Sequence, residues 1–367
     1  MAPQLHDHED EFVVFGCAEH HGFHAGVMDS VNDVAGINLT FAHISYNFWP
    51  DGESGSFIDC PEEIEGKHVI IFTTPVNDKL ELQLRDLVCA CKWQYGAKSV
   101  SVVMTFMRYR RQDRPEKNHE ITRLRWFLHG LKAWGVDHLI VCDPHNLKNT
   151  QQYCTEAGVE LHVCMPTKLF ANRVDRTIKT LRTEGAKVVG YAPDFGSIAR
   201  VLAFAIEINT IVVATPKERL NGDTVNIDAA FDQVEYLAQI HAEFGEDAPI
   251  TCDQTELEGA HVFMLDDELS TGGTAASVSA LARKAGAASV RFIATHPVCS
   301  PGWKNVLRIY REAEERPFDQ VFLGTTRPRG LDQTTYEGST GGRVERVDIT
   351  PTFAHELIKL MADLAGK

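Results

Sequence analysis

No apolar run in this 367-residue chain is long enough to cross a bilayer. The longest, Val201 to Ala214, is broken by Glu207 and Asn209, whereas a spanning helix needs about 20 apolar residues. The opening MAPQLHDHEDEF is acidic and holds no apolar signal core, so a cytoplasmic protein without a membrane partner is expected. Basic charge is also short. The chain carries 36 Lys and Arg against 51 Asp and Glu, a formal net charge of -15, which excludes a general nucleic-acid-binding surface and requires any bound phosphate to be held locally. Cysteines paired at zinc spacing are missing as well. The nine cysteines, an odd number, are scattered and read as reduced thiols. HDHED (6–10) and HHGFH (20–24) are rich in histidine without a fixed ligand geometry, and neither is assigned a metal.

What is present is enough apolar residue, 44%, to bury a core and to build two domains of ordinary size. Short β-branched runs alternate with longer amphipathic ones. Strands are expected at 12–16, 68–73, 99–104, 138–142, 187–192, 210–214, 261–265, 289–295 and 320–324, and helices near 78–95, 120–134, 172–184, 196–208, 273–286, 302–314 and 352–365. That alternation predicts an α/β fold of parallel sheets flanked by helices.

Such sheets bind ligands at the carboxyl edges of their strands, and four predicted strands end in polar motifs: MTFMRYRRQDRP, CDPHN, APDFGS and LDDELSTGGT. The last two open helices, at Gly196 and Gly273, so free backbone N–H groups and a positive dipole end can face an anion. Asp266 and Asp267 stand beside that anion loop. Three roles fit them: capping the next helix, holding the hydroxyls of a sugar, or placing a divalent cation. Lys217 and Arg219 lie in PKERLNGD, a polar stretch with Gly222 as pivot that reads either as a solvated loop or as a lid over phosphates. Arg108, Arg110, Arg111 and Arg114 form a dense basic cluster in an acidic protein. Taken alone, they fit a solvated turn stabilised by Asp113 and Glu116.

Together with WPDGE (49–53) and TTPVND (73–78), the motifs YRRQDRP, DPH, APDFG and LDDELSTGGT resemble, in order and approximate spacing, those of the ribose-phosphate diphosphokinase family. The similarity runs from about residue 12 to about residue 365. The resemblance implies two tandem phosphoribosyltransferase-like domains, expected here as 1–165 with the ATP motifs and 166–367 with the catalytic and sugar-phosphate loops. It implies a homo-oligomer built from dimers, such as a hexamer, with ATP, Mg2+ and a ribose 5-phosphate-type acceptor as partners. The reaction implied is transfer of the β,γ-diphosphoryl group of Mg-ATP to the anomeric hydroxyl of ribose 5-phosphate, with release of AMP. By the same resemblance Lys217 and Arg219 are the catalytic pair. Trp49, Asp51 and Glu53, reaching from a neighbouring subunit, join Arg111, Gln112 and Asp113 at the nucleotide. His145 and Asp194 bind metal, while Asp266, Asp267, Ser270, Thr271, Gly272, Gly273 and Thr274 hold the sugar phosphate.

The chain departs from the family pattern at Ser270, where an aspartate is usual, and in longer stretches at about 228–258 and 329–343. Serine still bonds a phosphate oxygen, so the substitution is compatible with the ordinary acceptor. It is also compatible with a larger one such as ADP-ribose. A plain phosphoribosyltransferase would not need YRRQD, WPDGE or a doubled domain. A non-catalytic regulatory homologue should have lost the cations and metal residues that Lys217, Arg219, His145 and Asp194 supply.

Overall fold

The computed structural model describes residues 5–17, 20–115, 117–215, 218–220, 224–226, 233–309, 311, 315–327 and 344–366. Clustering of the chain gives two units, one of residues 1–165, 326–328 and 349–367 and one of residues 166–325 and 329–348.

The first unit contains β1 (Phe12–Gly16), α1 (His21–Ala35), β2 (Phe41–Ala42), β3 (Ile44–Phe48), β4 (Ser54–Ile58), β5 (His68–Thr73), α2 (Asp78–Cys89), β6 (Ser99–Met104), α3 (Arg123–Trp134), β7 (His138–Cys142), α4 (Leu147–Ala157) and β8 (Glu160–Cys164). Six strands form a sheet in the order β2-β1-β5-β6-β7-β8, all parallel, while β3 and β4 form a separate antiparallel hairpin. Alternation along the strands divides the apolar side chains between two faces. Val13, Phe15, Val69, Ile71, Val102 and Leu139 pack with Leu84, Leu128 and Leu131 of α2 and α3. The opposite face, through Phe72, receives α1, whose His24 ring lies 5.5 Å from Phe72. Because both faces are covered, β5, β6 and most of β7 read as unbroken apolar or small-residue runs.

The second unit contains α5 (Thr167–Thr183), β9 (Val188–Ala192), α6 (Phe195–Glu207), β10 (Val212–Ala214), β11 (Glu218–Leu220), β12 (Thr224–Asn226), α7 (Gln233–Phe244), β13 (Ile250–Thr251), β14 (His261–Leu269), α8 (Gly273–Lys284), β15 (Ser289–Pro297), α9 (Trp303–Val306), β16 (Gln320–Gly324) and β17 (Val344–Val347). Seven parallel strands run in the order β13-β10-β9-β14-β15-β16-β17, with β11 and β12 as a separate antiparallel pair. One face packs Val262, Met264 and Phe292 with Val278 and Ala282 of α8. On the other, Phe204 of α6 meets Phe263, and a Cβ on Gly190 would come within 2.9 Å of Val201. Glycine there lets α6 sit close on β9.

The final helix, α10 (Thr350–Leu364), differs from expectation. Residues 349–367, assigned from sequence to the second domain, belong to the first unit. The reason is the apolar face of the helix: Phe353 makes an edge-to-face contact with Phe23 of α1, centroids 5.5 Å apart, and Leu357, Leu360 and Met361 are also buried. The expected helix at 302–314 is helical at Trp303–Val306; Tyr310 and residues 312–314 lie outside the described residues.

His24 is 1% exposed. Its Nε2 is 3.2 Å from Thr74 Oγ1, which in turn bonds Thr105 Oγ1 at 2.6 Å. Burial, reinforced by His20 and His21, pushes its pKa down from 6.5 to about 3. A histidine held neutral in the fold but free to protonate when unfolded contributes stability above pH 6.5 that is lost as pH falls toward 3. Between pH 7 and 5 this group alone should remove about 2 kcal/mol. Urea midpoints at the two pH values should therefore converge in His24→Gln relative to the parent.

Candidate active site

In the second unit three neighbouring strands bring their carboxyl ends to one edge. Ala214 of β10 is level with Ala192 of β9, and Met264 of β14 is level with Tyr191. Immediately beyond these positions come Thr215, Asp194 and Asp266. Strand β14 runs four residues further than its apolar core predicts, so Asp266 and Asp267 are strand residues and not the start of a turn. The longer ladder with β15 explains this, since Asp266 pairs with Ala294 and Glu268 with His296. Adjacent strand residues point to opposite faces. Asp267 is 2% exposed and Asp266 is half-buried. Burial and the neighbouring Asp267 hold the Asp266 carboxyl well above the usual carboxylate range, with Arg200 of α6 offsetting this in part.

The anion loop follows. Gly272 has φ 82° and caps α8, whose first residues are Gly273 and Thr274. A Cβ at Gly272 would lie 2.8 Å from Leu307 Cδ2, so both backbone conformation and space demand glycine. Thr271 Oγ1 is 3.5 Å from the Gly273 N–H. Ser270 does not stand alone: its hydroxyl meets Ser300 Oγ at 2.9 Å, and the Ser300 N–H donates to the Ser270 carbonyl. Ser300 was not singled out from sequence, although a Ser-Pro-Gly turn after β15 marks a loop aimed at this edge.

Asp194 is the N-cap of α6 and makes a capping box: its Oδ1 accepts the Ser197 N–H at 3.0 Å, and its own N–H donates to Ser197 Oγ at 3.4 Å. The cap fixes the carboxylate at the edge. Thr215 is held by its hydroxyl to Tyr191 and Gln254, and its carbonyl accepts from Tyr236 Oη of α7. The long stretch at 228–258 thus supplies, in its described part, a helix and the edge strand β13. Arg219 is on β11, where it pairs with Val225 of β12. Lys217 lies outside the described residues, as does 329–343.

The first unit carries its polar motifs on its own carboxyl edge. After β6, the loop 107–115 exposes Arg111 and Gln112, while Arg110 is 3% exposed, with its guanidinium 4.8 Å from the Phe106 ring. Arg327, another residue unnoticed in the sequence, faces the same ring at 4.7 Å. Arg108 pairs with Asp78 and Glu81, not with Asp113. Asp113, expected at the nucleotide, is buried instead: its carboxylate accepts Asn149 Nδ2 at 2.7 Å and its carbonyl accepts Tyr153 Oη at 2.8 Å. It anchors the loop to α4. After β7, Asp143 has φ 38° and is buried, whereas His145 is exposed. Trp49, Asp51 and Glu53 occupy the turn of the β3–β4 hairpin, which Trp49 N–H closes on the Glu53 carbonyl and Asp51 Oδ1 closes on the Glu53 N–H. Trp49 is 43% exposed and is flanked by exposed Phe48 and Phe57.

Two α/β units with polar motifs at the carboxyl edges of parallel sheets, the second with an anion loop beside paired carboxylates, define a protein of phosphoribosyltransferase-type architecture. Residues 12–135 match the N-terminal domain of ribose phosphate pyrophosphokinase. The ribose-phosphate pyrophosphokinase of Saccharolobus solfataricus is 28% identical over 285 residues, covering 77% of this chain and 85% of that one. Ribose-phosphate pyrophosphokinase 1 of Streptococcus pneumoniae is 27% identical over 274 residues, covering 74% and 75%. Among solved structures, the phosphoribosylpyrophosphate synthetase of Mycobacterium smegmatis shares the fold with a TM-score of 0.71 at 18% identity, over 96% of this chain and 99% of that one. Along most of its length the chain is thus similar to ribose-phosphate pyrophosphokinases.

Proposed function

We propose that this protein is a ribose-phosphate diphosphokinase that makes phosphoribosyl pyrophosphate and AMP from ribose 5-phosphate and Mg-ATP. Similarity to ribose-phosphate pyrophosphokinases supports the reaction class. The observation that carries the acceptor is one strand-turn-helix in which the Asp266–Asp267 pair meets the Gly272-capped start of α8. Backbone N–H groups at that helix start take the 5-phosphate, while the carboxylates take ribose hydroxyls. The anomeric hydroxyl oxygen then bonds to the β-phosphorus of ATP, the bond from that phosphorus to the oxygen of the α-phosphate breaks, and the hydroxyl proton leaves to solvent. Chemistry of this kind depends on in-line placement and on positive charge at the moving oxygens. Lys217 and Arg219 supply that charge from the loop after β10. Arg111 and Gln112, with Trp49, Asp51 and Glu53 from a second copy of the chain, hold the nucleotide in a dimer-based assembly.

The chain also suits Mg2+, a hard cation that takes oxygen ligands. Burial and the adjacent Asp267 raise the Asp266 carboxyl well above its ordinary range, and a divalent cation near the pair would relieve the repulsion between the two. Asp194, fixed by its capping box, is the metal candidate of the second unit, and His145, exposed after β7, that of the first. When bound, Mg2+ neutralises charge on the phosphate oxygens.

A second acceptor is favoured by one contact. The neutral Ser270–Ser300 hydroxyl pair, where the family pattern has an acid, suits a larger ribose 5-phosphate derivative such as ADP-ribose. AMP release from Mg-ATP, followed in parallel with ribose 5-phosphate and ADP-ribose and with products weighed by mass spectrometry, tests both readings. Ribose 5-phosphate should gain a diphosphoryl group. Turnover on ADP-ribose alone would reassign the acceptor, and no AMP with either would leave the non-catalytic homologue.

A further inference from the structure

At the amino edge of the first sheet, away from every motif used above, three donor groups converge. His138 opens β7 and Glu160 opens β8, and the two residues are paired in parallel register. His162, two residues after Glu160, projects from the same face of β8. His138 Nδ1 and His162 Nε2 are 3.5 Å apart. Glu160 Oε2 is 3.3 Å from His138 Nδ1, and Glu160 Oε1 is 3.7 Å from His162 Nε2. Ligands about 2.0–2.2 Å from a tetrahedral zinc ion are themselves roughly 3.3 Å apart, so the two ring nitrogens stand at about that spacing, and the Glu160 carboxylate turns one oxygen toward each of them.

We propose that His138, Glu160 and His162 form a binding site for a divalent transition metal of the zinc type.

The surroundings of the trio fit this chemistry. His162 Nδ1 lies 3.8 Å from Glu356 Oε1 of α10, which places a carboxylate behind the ring. A partner there favours the tautomer whose Nε2 lone pair faces the other two donors. Lys359 holds Glu356 from its other oxygen at 3.3 Å. Both imidazoles are 14% exposed, while Glu160 at 64% leaves an approach from solvent. Neighbouring Asp137 is engaged elsewhere, by Lys92 and by the Val100 N–H, and does not compete. Two imidazoles and a carboxylate leave a fourth position for water, and a metal there would join β7 and β8 directly and α10 through Glu356.

The test uses the full chain with Zn2+ and Co2+ as probes, stripped first with a chelator. The expected result is one tight equivalent per chain, intense tetrahedral visible bands with Co2+, and a higher melting temperature with Zn2+. His138→Gln and His162→Gln should each weaken binding by at least about 100-fold, and Glu356→Gln by about 10- to 100-fold. Circular dichroism checks that each variant is folded, and His138→Asn serves if the glutamine variant is not. Equal stoichiometry and affinity in the parent and in the His138→Gln/His162→Gln double variant would overturn the proposal and assign the binding to other histidines. Absence of a tight equivalent in the parent would also overturn it. Neither outcome bears on turnover of ribose 5-phosphate.

Discussion

Alanine in place of Lys217 should cut turnover by about 10³-fold or more, the range seen when a cation is removed from a phosphoryl transition state, while the melting temperature stays unchanged. Thr215 is pinned by Tyr191, Gln254 and Tyr236, and β11, which carries Arg219, begins three residues later at Glu218. The stretch PKERLNGD is polar in sequence, so removing its lysine should leave folding intact. Arg219→Ala should act on the same step, and the double variant should lose less than the product of the two single losses because the cations work as a unit. Single-turnover AMP formation beside a thermal melt separates the two quantities. Unchanged turnover would remove this loop from the mechanism.

Gly272→Ala should show the opposite pattern, harming the fold and the acceptor site together. The left-handed conformation at φ 82° costs an ordinary residue about 1–2 kcal/mol, and the new methyl would meet Leu307 at 2.8 Å and 3.3 Å. Either the Leu307 side chain or the start of α8 must shift to admit it. A total of about 2–3 kcal/mol corresponds to a drop of several degrees in melting temperature, and a displaced anion cradle should raise KM for ribose 5-phosphate by at least about tenfold. Gly273→Ala is the stability control, since its nearest neighbour to an added Cβ is Thr271 Oγ1 at 3.8 Å. A lowered melting temperature with unchanged KM would show that the loop supports the fold without binding the acceptor phosphate.

The contrast between what could and could not be read from residues follows from burial. Strands covered on both faces, such as HVIIFT and SVSVVM, are almost uninterrupted apolar runs and were legible. ELHVC, at the edge of the same sheet, was not, because its outward positions are glutamate and histidine. The hairpin strands ISYNF and SGSFI are only half-buried and lack an apolar run. Helix α1, HGFHAGVMDSVNDVA, mixes two glycines with β-branched residues and asparagine, so propensity argues against a helix that packing with Phe72 and Phe353 stabilises. At the site, glycine and acid marked the β14–α8 turn correctly in sequence, yet no local pattern could show that Asp113 turns inward to Asn149 or that Ser300 comes back to Ser270. Those are long-range contacts, invisible to spacing.

The return of α10 to the first sheet makes the second unit, in topological terms, an insertion within the first. The N-terminal half therefore cannot close until α10 has left the ribosome. At about 5–20 residues per second, Phe23 and its neighbours wait roughly 15 to 65 seconds for Phe353. During that interval the face that α10 will cover is open to water and to chaperones, so deleting α10 should impair the first half of the chain more than the second.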